Sequence, residues 1–241
     1  MDLKYKCIII DRRGDVMNSN MTTVEVINEV CPKKNYHIID NNLIETGELK
    51  RGEPLIDGPN KYVAIPNTWD TTLKYNTERS NILGRSGTIH IEEDHISIPI
   101  TQRYSFFGVK MYKVGDIISF NHINTSLPVC NVNIGINYIN DYIMKEAGGV
   151  YLEYHDRPHF HMPRNSSAGG YIVVGREIDE FILLAAIKIP FGYALYMPNY
   201  VIHNDCFLTG DYTVVYSQTP NYSNVLLCNK KNIPVKVTIE L

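Results

Sequence analysis

The sequence predicts an all-β fold, either a sandwich or a barrel. Apolar and polar residues alternate with period two over many short runs, and β-branched and aromatic residues dominate those runs. Gly, Pro, Asn or Asp bounds nearly every run, at steady spacing. Many short strands separated by regular turn signals are typical of β-sandwiches and barrels.

Fourteen runs are expected to form strands. They are residues 4–10, 61–65, 88–92, 96–100, 104–112, 116–120, 131–138, 150–155, 171–174, 181–189, 194–197, 211–217, 225–228 and 235–240. Helix is expected in only two places. A capping box, Thr22-Thr23-Val24-Glu25, predicts a short helix that ends before Pro32. Apolar residues at helical spacing over 138–147, followed by Gly148-Gly149, predict a second.

The length of 241 residues suits one large domain or one domain with an extension. We expect residues 101–241 to form the β-barrel and residues 1–100 to form an N-terminal extension or a partial second β-domain. Three roles stay open for the N-terminal region: it completes the barrel, caps its mouth, or adds strands at the contact of a homodimer.

Composition excludes several classes of protein. The chain has 23 Lys+Arg against 26 Asp+Glu, so it lacks the one-signed field of a nucleic-acid clamp or a polybasic membrane binder. Its apolar runs are too short for a signal peptide or a membrane span, which predicts a cytoplasmic protein. The five scattered cysteines form no C-x-x-C pair and are expected to be free thiols.

The histidines are the most informative residues. On a strand, side chains alternate between faces, so His159 and His161 are expected to point the same way, at chelating distance. If the strand continues through Pro158, His155 and Glu153 share that face. A barrel strand carries such a polar row where the interior holds a ligand, a metal or water. The alternative is that this face is outward and solvated.

A second segment contains Gly192, Pro198 and His203, with five residues between the first two and four between the last two. Together with the His159-Phe160-His161 pair, this segment resembles the two motifs of the cupin superfamily, G-x5-H-x-H-x3-4-E-x6-G and G-x5-P-x-G-x2-H-x3-N. The resemblance covers roughly residues 104–230. Gly149 and Gly170 lie on either side of the H-x-H pair, the first further upstream than the motif asks.

The sequence departs from the cupin motifs at three positions. Asn165 stands where the first motif has its Glu ligand, Tyr200 where the second has Gly, and Phe207 where it has its final Asn. The missing Glu leaves a three-histidine set, as in the thiol dioxygenases of that superfamily.

The resemblance implies a cupin-like double-stranded β-helix, a jelly-roll barrel, with one divalent metal bound by three histidines, His159, His161 and His203. It implies Fe(II) as the first expectation, and Zn, Mn and Ni also suit imidazole ligands. A replacement fourth ligand is expected from His155 or Glu153, which share the face of the pair. Glu177 is a weaker alternative, because Gly175-Arg176-Glu177 is predicted to form a solvated turn.

The expected pocket would take a small polar or anionic substrate, such as a sugar phosphate, a nucleotide sugar or an organic acid. Arg157 beside the metal would hold a carboxylate or phosphate in bidentate fashion. Tyr196 is the candidate proton donor. The alternative for this tyrosine is a half-buried strand position, which a protein with 17 tyrosines would show anywhere.

These expectations define a metal-dependent cupin-like enzyme, of the oxygenase or the isomerase/epimerase type, with no nucleic-acid or membrane partner. One alternative is a non-catalytic cupin-fold protein that binds a sugar or another small molecule. Another is a structural or interaction protein of a virus or intracellular pathogen, whose histidines are incidental.

Overall fold

The computed structural model describes residues 22–48, 58–69, 87–145, 147–217, 219 and 221–241. The predicted strand 4–10 lies outside them. The strands are β1 Thr22–Val30, β2 Asn35–Ile39, β3 Asn42–Thr46, β4 Val63–Pro66, β5 Gly87–Ile91, β6 His95–Pro99, β7 Lys110–Lys113, β8 Ile117–Ser119, β9 Leu127–Ile134, β10 Tyr151–His155, β11 His159–Pro163, β12 Gly169–Gly170, β13 Ile172–Ile178, β14 Phe181–Ile187, β15 Tyr193–Met197, β16 Ile202–Asn204, β17 Leu208–Val215, β18 Tyr222–Asn229 and β19 Lys236–Glu240. A 3₁₀ turn (Ser105–Phe107) and a π-helical turn (Ile139–Ile143) complete the described elements.

Two seven-stranded sheets form a nearly closed, barrel-shaped jelly roll. The first has the order β1-β9-β17-β11-β15-β7, with β12 paired to β17, and the second has the order β4-β14-β13-β16-β10-β18-β5. Two smaller sheets, β3-β2-β8 and β19-β6, lie outside them. The predicted all-β jelly-roll fold is confirmed.

Apolar side chains fill three layers. Between the two large sheets lie alternate residues of strands from both, such as Val132 and Leu195 of the first sheet and Val174 and Ile187 of the second. The outer face of the first sheet packs against β2, β3 and β8, and that of the second against β6 and β19. Because both faces of each large sheet are covered, several strands are buried along their whole length, including β11.

The first predicted helix is wrong, because residues 22–30 form β1. This strand pairs antiparallel with β9 from Thr22 to Val30. Thr, Val and Ile make up most of its sequence, and such β-branched side chains favour a pleated strand over a helix. The second predicted helix is present only as the π-helical turn Ile139–Ile143.

Most of the predicted strands have a counterpart in the structure. Run 104–112 is the main exception, since the 3₁₀ turn occupies its first half and β7 begins only at Lys110. Strands β2 and β3 were not predicted. They form a hairpin whose turn, Asp40-Asn41, has positive φ at both residues (44° and 63°), as a tight two-residue connection requires.

The division into residues 1–100 and 101–241 stays a prediction. Strands of the first hundred residues pair with later strands in both large sheets: β1 with β9, β4 with β14, and β5 with β18. The described cysteines, Cys31, Cys130, Cys206 and Cys228, form no disulfide with one another.

Replacing Phe160 with Ala should destabilise the protein by about 3–5 kcal/mol. The ring is fully buried in the layer between the first large sheet and β2-β3-β8, so its removal leaves a cavity there. Chemical denaturation followed by circular dichroism measures the loss. Ile136, 83% exposed, is the matched control, and Ile136→Ala should change stability by less than about 0.5 kcal/mol. Equal losses in the two variants would contradict the described packing.

Candidate metal centre

The candidate site is built around a chain corner at residues 156–158. The strand before the corner, β10, belongs to the second large sheet, and the strand after it, β11, belongs to the first. Leu152 of β10 packs in the outer layer of its sheet. Because successive side chains of a strand point to opposite faces, Glu153 and His155 face the barrel interior. Phe160 of β11 likewise faces outward, which turns His159 inward. The two sheets thereby present these side chains to one another.

His203 joins them from the neighbouring strand β16. It is the cross-strand partner of Glu153 on one side and of Val174 on the other. Its Nε2 atom lies 3.6 Å from Oε1 of Glu153.

Glu153, His155, His159 and His203 form a compact set of ligand atoms. Each residue offers one such atom, and all four atoms lie within 4.8 Å of one another. The ring centroids of the three histidines are 4.6, 4.8 and 5.0 Å apart, with interplanar angles of 55°, 69° and 79°. All four side chains are buried. We call this set the Glu153 cluster.

Backbone carbonyls set the tautomers of two of these histidines. Nδ1 of His203 lies 2.8 Å from the carbonyl oxygen of Val201, and Nδ1 of His155 lies 2.6 Å from that of Arg157. A carbonyl only accepts, so Nδ1 carries the proton in both rings, and the lone pair is on Nε2. This arrangement orients histidine ligands in metal sites.

The residues present fit a divalent metal ion. Three neutral imidazoles and one carboxylate are ligands that first-row transition metals accept, and two ligands of one ion bound at about 2.0–2.2 Å lie roughly 3–4 Å apart. The separation of 3.6 Å between His203 and Glu153 matches that spacing. Among the described residues, Nε2 of His203 has no hydrogen-bond partner although it is buried. A bound cation would satisfy that atom and offset the cost of burying the carboxylate.

His161 lies beside the cluster but is not one of its four members. Its ring is 5.3 Å from that of His159, and its Nε2 is 3.4 Å from Oδ2 of Asp205. The hydroxyl of Tyr151 donates to the other oxygen of Asp205 at 3.4 Å. Asp205 was not predicted as a site residue, since it lies 44 positions from His161 and no local pattern links the two.

Of the two predicted catalytic residues, Tyr196 faces away from the four ligand atoms, whereas Arg157 lies at the chain corner next to His155. Tyr196 is the cross-strand partner of Phe160, so it faces the outer layer, where its ring packs edge-on against Phe120 at 5.8 Å. Arg157 is at the corner, partly exposed, with its Nε 3.8 Å from Oδ1 of Asp156. The placement of Tyr196 does not support a catalytic role at this cluster, whereas that of Arg157 leaves it at the cluster's edge.

Glu177 is exposed and is not one of the four candidate metal ligands. The turn predicted at 175–177 is wrong. These residues belong to β13, which runs from Ile172 to Ile178. Gly175 serves close packing there, since a Cβ atom on it would lie 2.7 Å from Cγ2 of Ile202.

Hydrogen bonds hold the corner between β10 and β11. The carboxylate of Asp156 accepts from Thr219 at 2.6 Å and from Asn221 at 3.0 Å, and its backbone oxygen accepts from Asn199 at 2.7 Å. Burial acts to raise the pKa of Asp156, but these two side-chain bonds and the charge of Arg157 outweigh it and lower the pKa. The ionised carboxylate of Asp156 therefore accepts the side-chain hydrogen bonds that hold the corner in place.

Comparison of the chain with protein-family models, curated proteins and solved structures finds no match. Within the described residues, no helix combines the length and the apolar character needed to cross a bilayer.

Replacing Tyr196 with Phe should leave stability at neutral pH unchanged or raise it, because its buried hydroxyl has no hydrogen-bond partner among the described residues. Burial, with a contribution from Tyr112, raises the pKa of Tyr196 to about 12. The folded state therefore holds this proton more tightly than the unfolded state, and its contribution to stability is lost as pH rises from about 10 to about 12.

Urea denaturation at several pH values measures this effect, and Tyr196→Phe should show a shallower alkaline loss than the unmodified protein. Tyr62→Phe, at a half-exposed tyrosine, is the control and should keep the original slope. A variant that unfolds at neutral pH would show that the hydroxyl makes an essential contact.

Proposed function

We propose that this protein is a metal-dependent enzyme of cupin type, in which Glu153, His155, His159 and His203 bind one divalent metal ion. The observation that carries the proposal is the convergence of four buried ligand atoms within 4.8 Å inside a jelly-roll barrel. Buried histidines and carboxylates at that density are costly unless they are paired or bind a cation.

The spacing of the cluster along the chain supports the cupin assignment. The first cupin motif places its three ligands at positions i, i+2 and either i+6 or i+7, in the order His, His, Glu. Glu153, His155 and His159 have the shorter of these two spacings, with Glu and His exchanged at the two outer positions. The motif is therefore better placed six residues upstream of the H-x-H pair His159-Phe160-His161, and Gly148 then lies one position from the motif's first glycine.

The backbone of the second segment supports it as well. Tyr200 has φ of 64°, in the left-handed region that favours glycine, and it occupies the position where the second motif has Gly. Gly192, at the motif's first glycine, has φ of 87°. The backbone therefore adopts a positive φ at both glycine positions of this motif, including the one where Tyr200 replaces glycine.

Fe(II) is the metal we propose, since a set of three imidazoles and one carboxylate suits it; Mn, Ni and Zn suit the same ligands. A bound ion would polarise a substrate oxygen or offer open coordination positions. The chain's own residues orient the ligands: the carbonyls of Val201 and Arg157 hold two imidazoles with Nε2 inward. We propose a small polar metabolite as substrate, with Arg157 at the edge of the site to hold an anionic group.

Protein prepared without a His-tag should contain one transition metal ion per chain, measured by elemental analysis. His203→Ala should lower metal affinity more than about tenfold, since even the outer partners of metal ligands contribute that much. Added metal should raise the melting temperature of the unmodified protein and not that of the variant.

His90→Ala is the matched control for this experiment. His90 is exposed, it hydrogen-bonds Asn232 at 2.8 Å, and its loss should leave metal content unchanged. Untagged protein that contains no stoichiometric metal, and is not stabilised by Fe, Mn, Ni or Zn, would overturn the proposal.

A pair of variants distinguishes the Glu153 cluster from a ligand set of His159, His161 and His203. His155→Ala should abolish stoichiometric binding, whereas His161→Ala should retain it, because His161 is directed at Asp205. Metal content of the two folded variants is the measurement. The reverse result would assign the metal to the H-x-H pair.

A further inference from the structure

A solvent-accessible cleft lies apart from the Glu153 cluster and contains none of its four residues. It is bounded by the 3₁₀ turn Ser105–Phe107, by the end of β13 and by the loop before β16. Its walls include Phe106, Tyr154, Arg176, Glu177 and Tyr200. Its volume of about 610 Å³ is within the range of roughly 300–1,000 Å³ typical of small-molecule sites. We call it the Arg176 cleft.

Tyr200 is the most unusual residue of this cleft. Its φ of 64° is unfavourable by about 1–2 kcal/mol for a residue with a Cβ atom, and glycine would remove that cost. The bond from its backbone N–H to the carbonyl of His155, at 2.8 Å, holds the conformation. The side chain is 64% exposed, so core packing does not account for it. A strained residue that carries an exposed aromatic ring indicates a binding role for the ring.

Two other aromatic rings line the cleft. The Tyr154 ring is 6.4 Å from that of Tyr200, and Phe106 lies on the 3₁₀ turn. The Phe106 ring is already covered by the stacked Tyr62 ring at 6.0 Å and by the guanidinium of Arg176, so Tyr200 provides the exposed aromatic face on which a ligand ring can stack.

Two charged side chains supply the polar contacts. The guanidinium of Arg176 lies over the Phe106 ring at 4.8 Å and donates to the Phe106 carbonyl at 2.6 Å, which fixes its position and leaves further N–H donors. Glu177 is exposed and offers carboxylate acceptors. Arg176 and Glu177 are consecutive on β13, so their side chains leave the strand on opposite faces and would bond hydroxyl groups on different parts of a sugar. Because the two charges are opposite, the cleft does not favour a charged ligand.

We propose that the Arg176 cleft binds a neutral carbohydrate, with a sugar ring stacked on Tyr200 and its hydroxyl groups bonded to Arg176 and Glu177. The proposal goes beyond the metal centre and does not depend on it.

Isothermal titration calorimetry with maltotriose, cellotriose and chitotriose at millimolar concentration tests this site. At least one of the three sugars should bind. Tyr200→Gly should weaken that binding at least about tenfold, as the loss of an aromatic anchor does at a binding surface. Glycine suits the backbone here, so this variant should be as stable as the unmodified protein or more so. Tyr200→Phe should retain binding, and Glu177→Ala should weaken it.

Phe191→Ala is the control, since Phe191 is a half-exposed aromatic residue that does not line the cleft. Failure of all three sugars to bind, or binding that Tyr200→Gly leaves unchanged, would overturn the proposal. Repeating the titration on chelator-treated protein keeps the two proposals separate: sugar binding without metal supports the cleft alone, and metal content is measured on the same samples.

Discussion

The corner between β10 and β11 is the constraint on which the candidate site depends. It carries the chain from one large sheet to the other within three residues, so that His155 and His159 face each other across the barrel interior instead of lying in one row along a strand. Tyr200 donates its backbone N–H to the carbonyl of His155, and Ser217 donates its hydroxyl to that of Pro158. The corner is thus tied to the loop before β16 and to the segment just after β17, which fixes the cluster before any ligand is present.

Apolar side chains border this cluster, although the buried polar residues Asn224, the cross-strand partner of Glu153, and His161 also adjoin it. Val174 and Met197, the cross-strand neighbours of His203 and His159, belong to the layer between the sheets. In such surroundings a carboxylate or an imidazole interacts strongly with the few polar groups it meets. Concentrating Glu153 with three histidines lets each serve as a partner for the others, and the same low-polarity surroundings would strengthen their hold on a cation.

Much of the fold follows from local pattern, and the parts that do not follow have physical causes. Strands such as β14 were predictable because a continuous apolar run bounded by turn residues, and too short for a buried helix, favours a buried strand. Residues 22–30 were misread because a capping box needs only four residues to match, while pairing with β9 decides the outcome from about a hundred residues away. The inward face of Glu153, His155 and His159 was predictable from alternation, but the corner at Asp156 was not, since it is held by contacts with Thr219 and Asn221. Which histidines converge depends on that corner.

The parallel pairing of β5 with β18 has a consequence for how the chain reaches this structure. Val225 pairs with Gly87, and Cys228 with His90, across more than a hundred intervening residues. β10 pairs with the other edge of β18, so the strand that carries Glu153 and His155 has both of its neighbours only when later parts of the chain have been made. Contacts of such long range slow folding, because the entropy of closing large loops is lost before the contacts form. During synthesis on the ribosome the histidines before and after the corner would therefore remain exposed until β18 has emerged, and the barrel closes as a late, cooperative event.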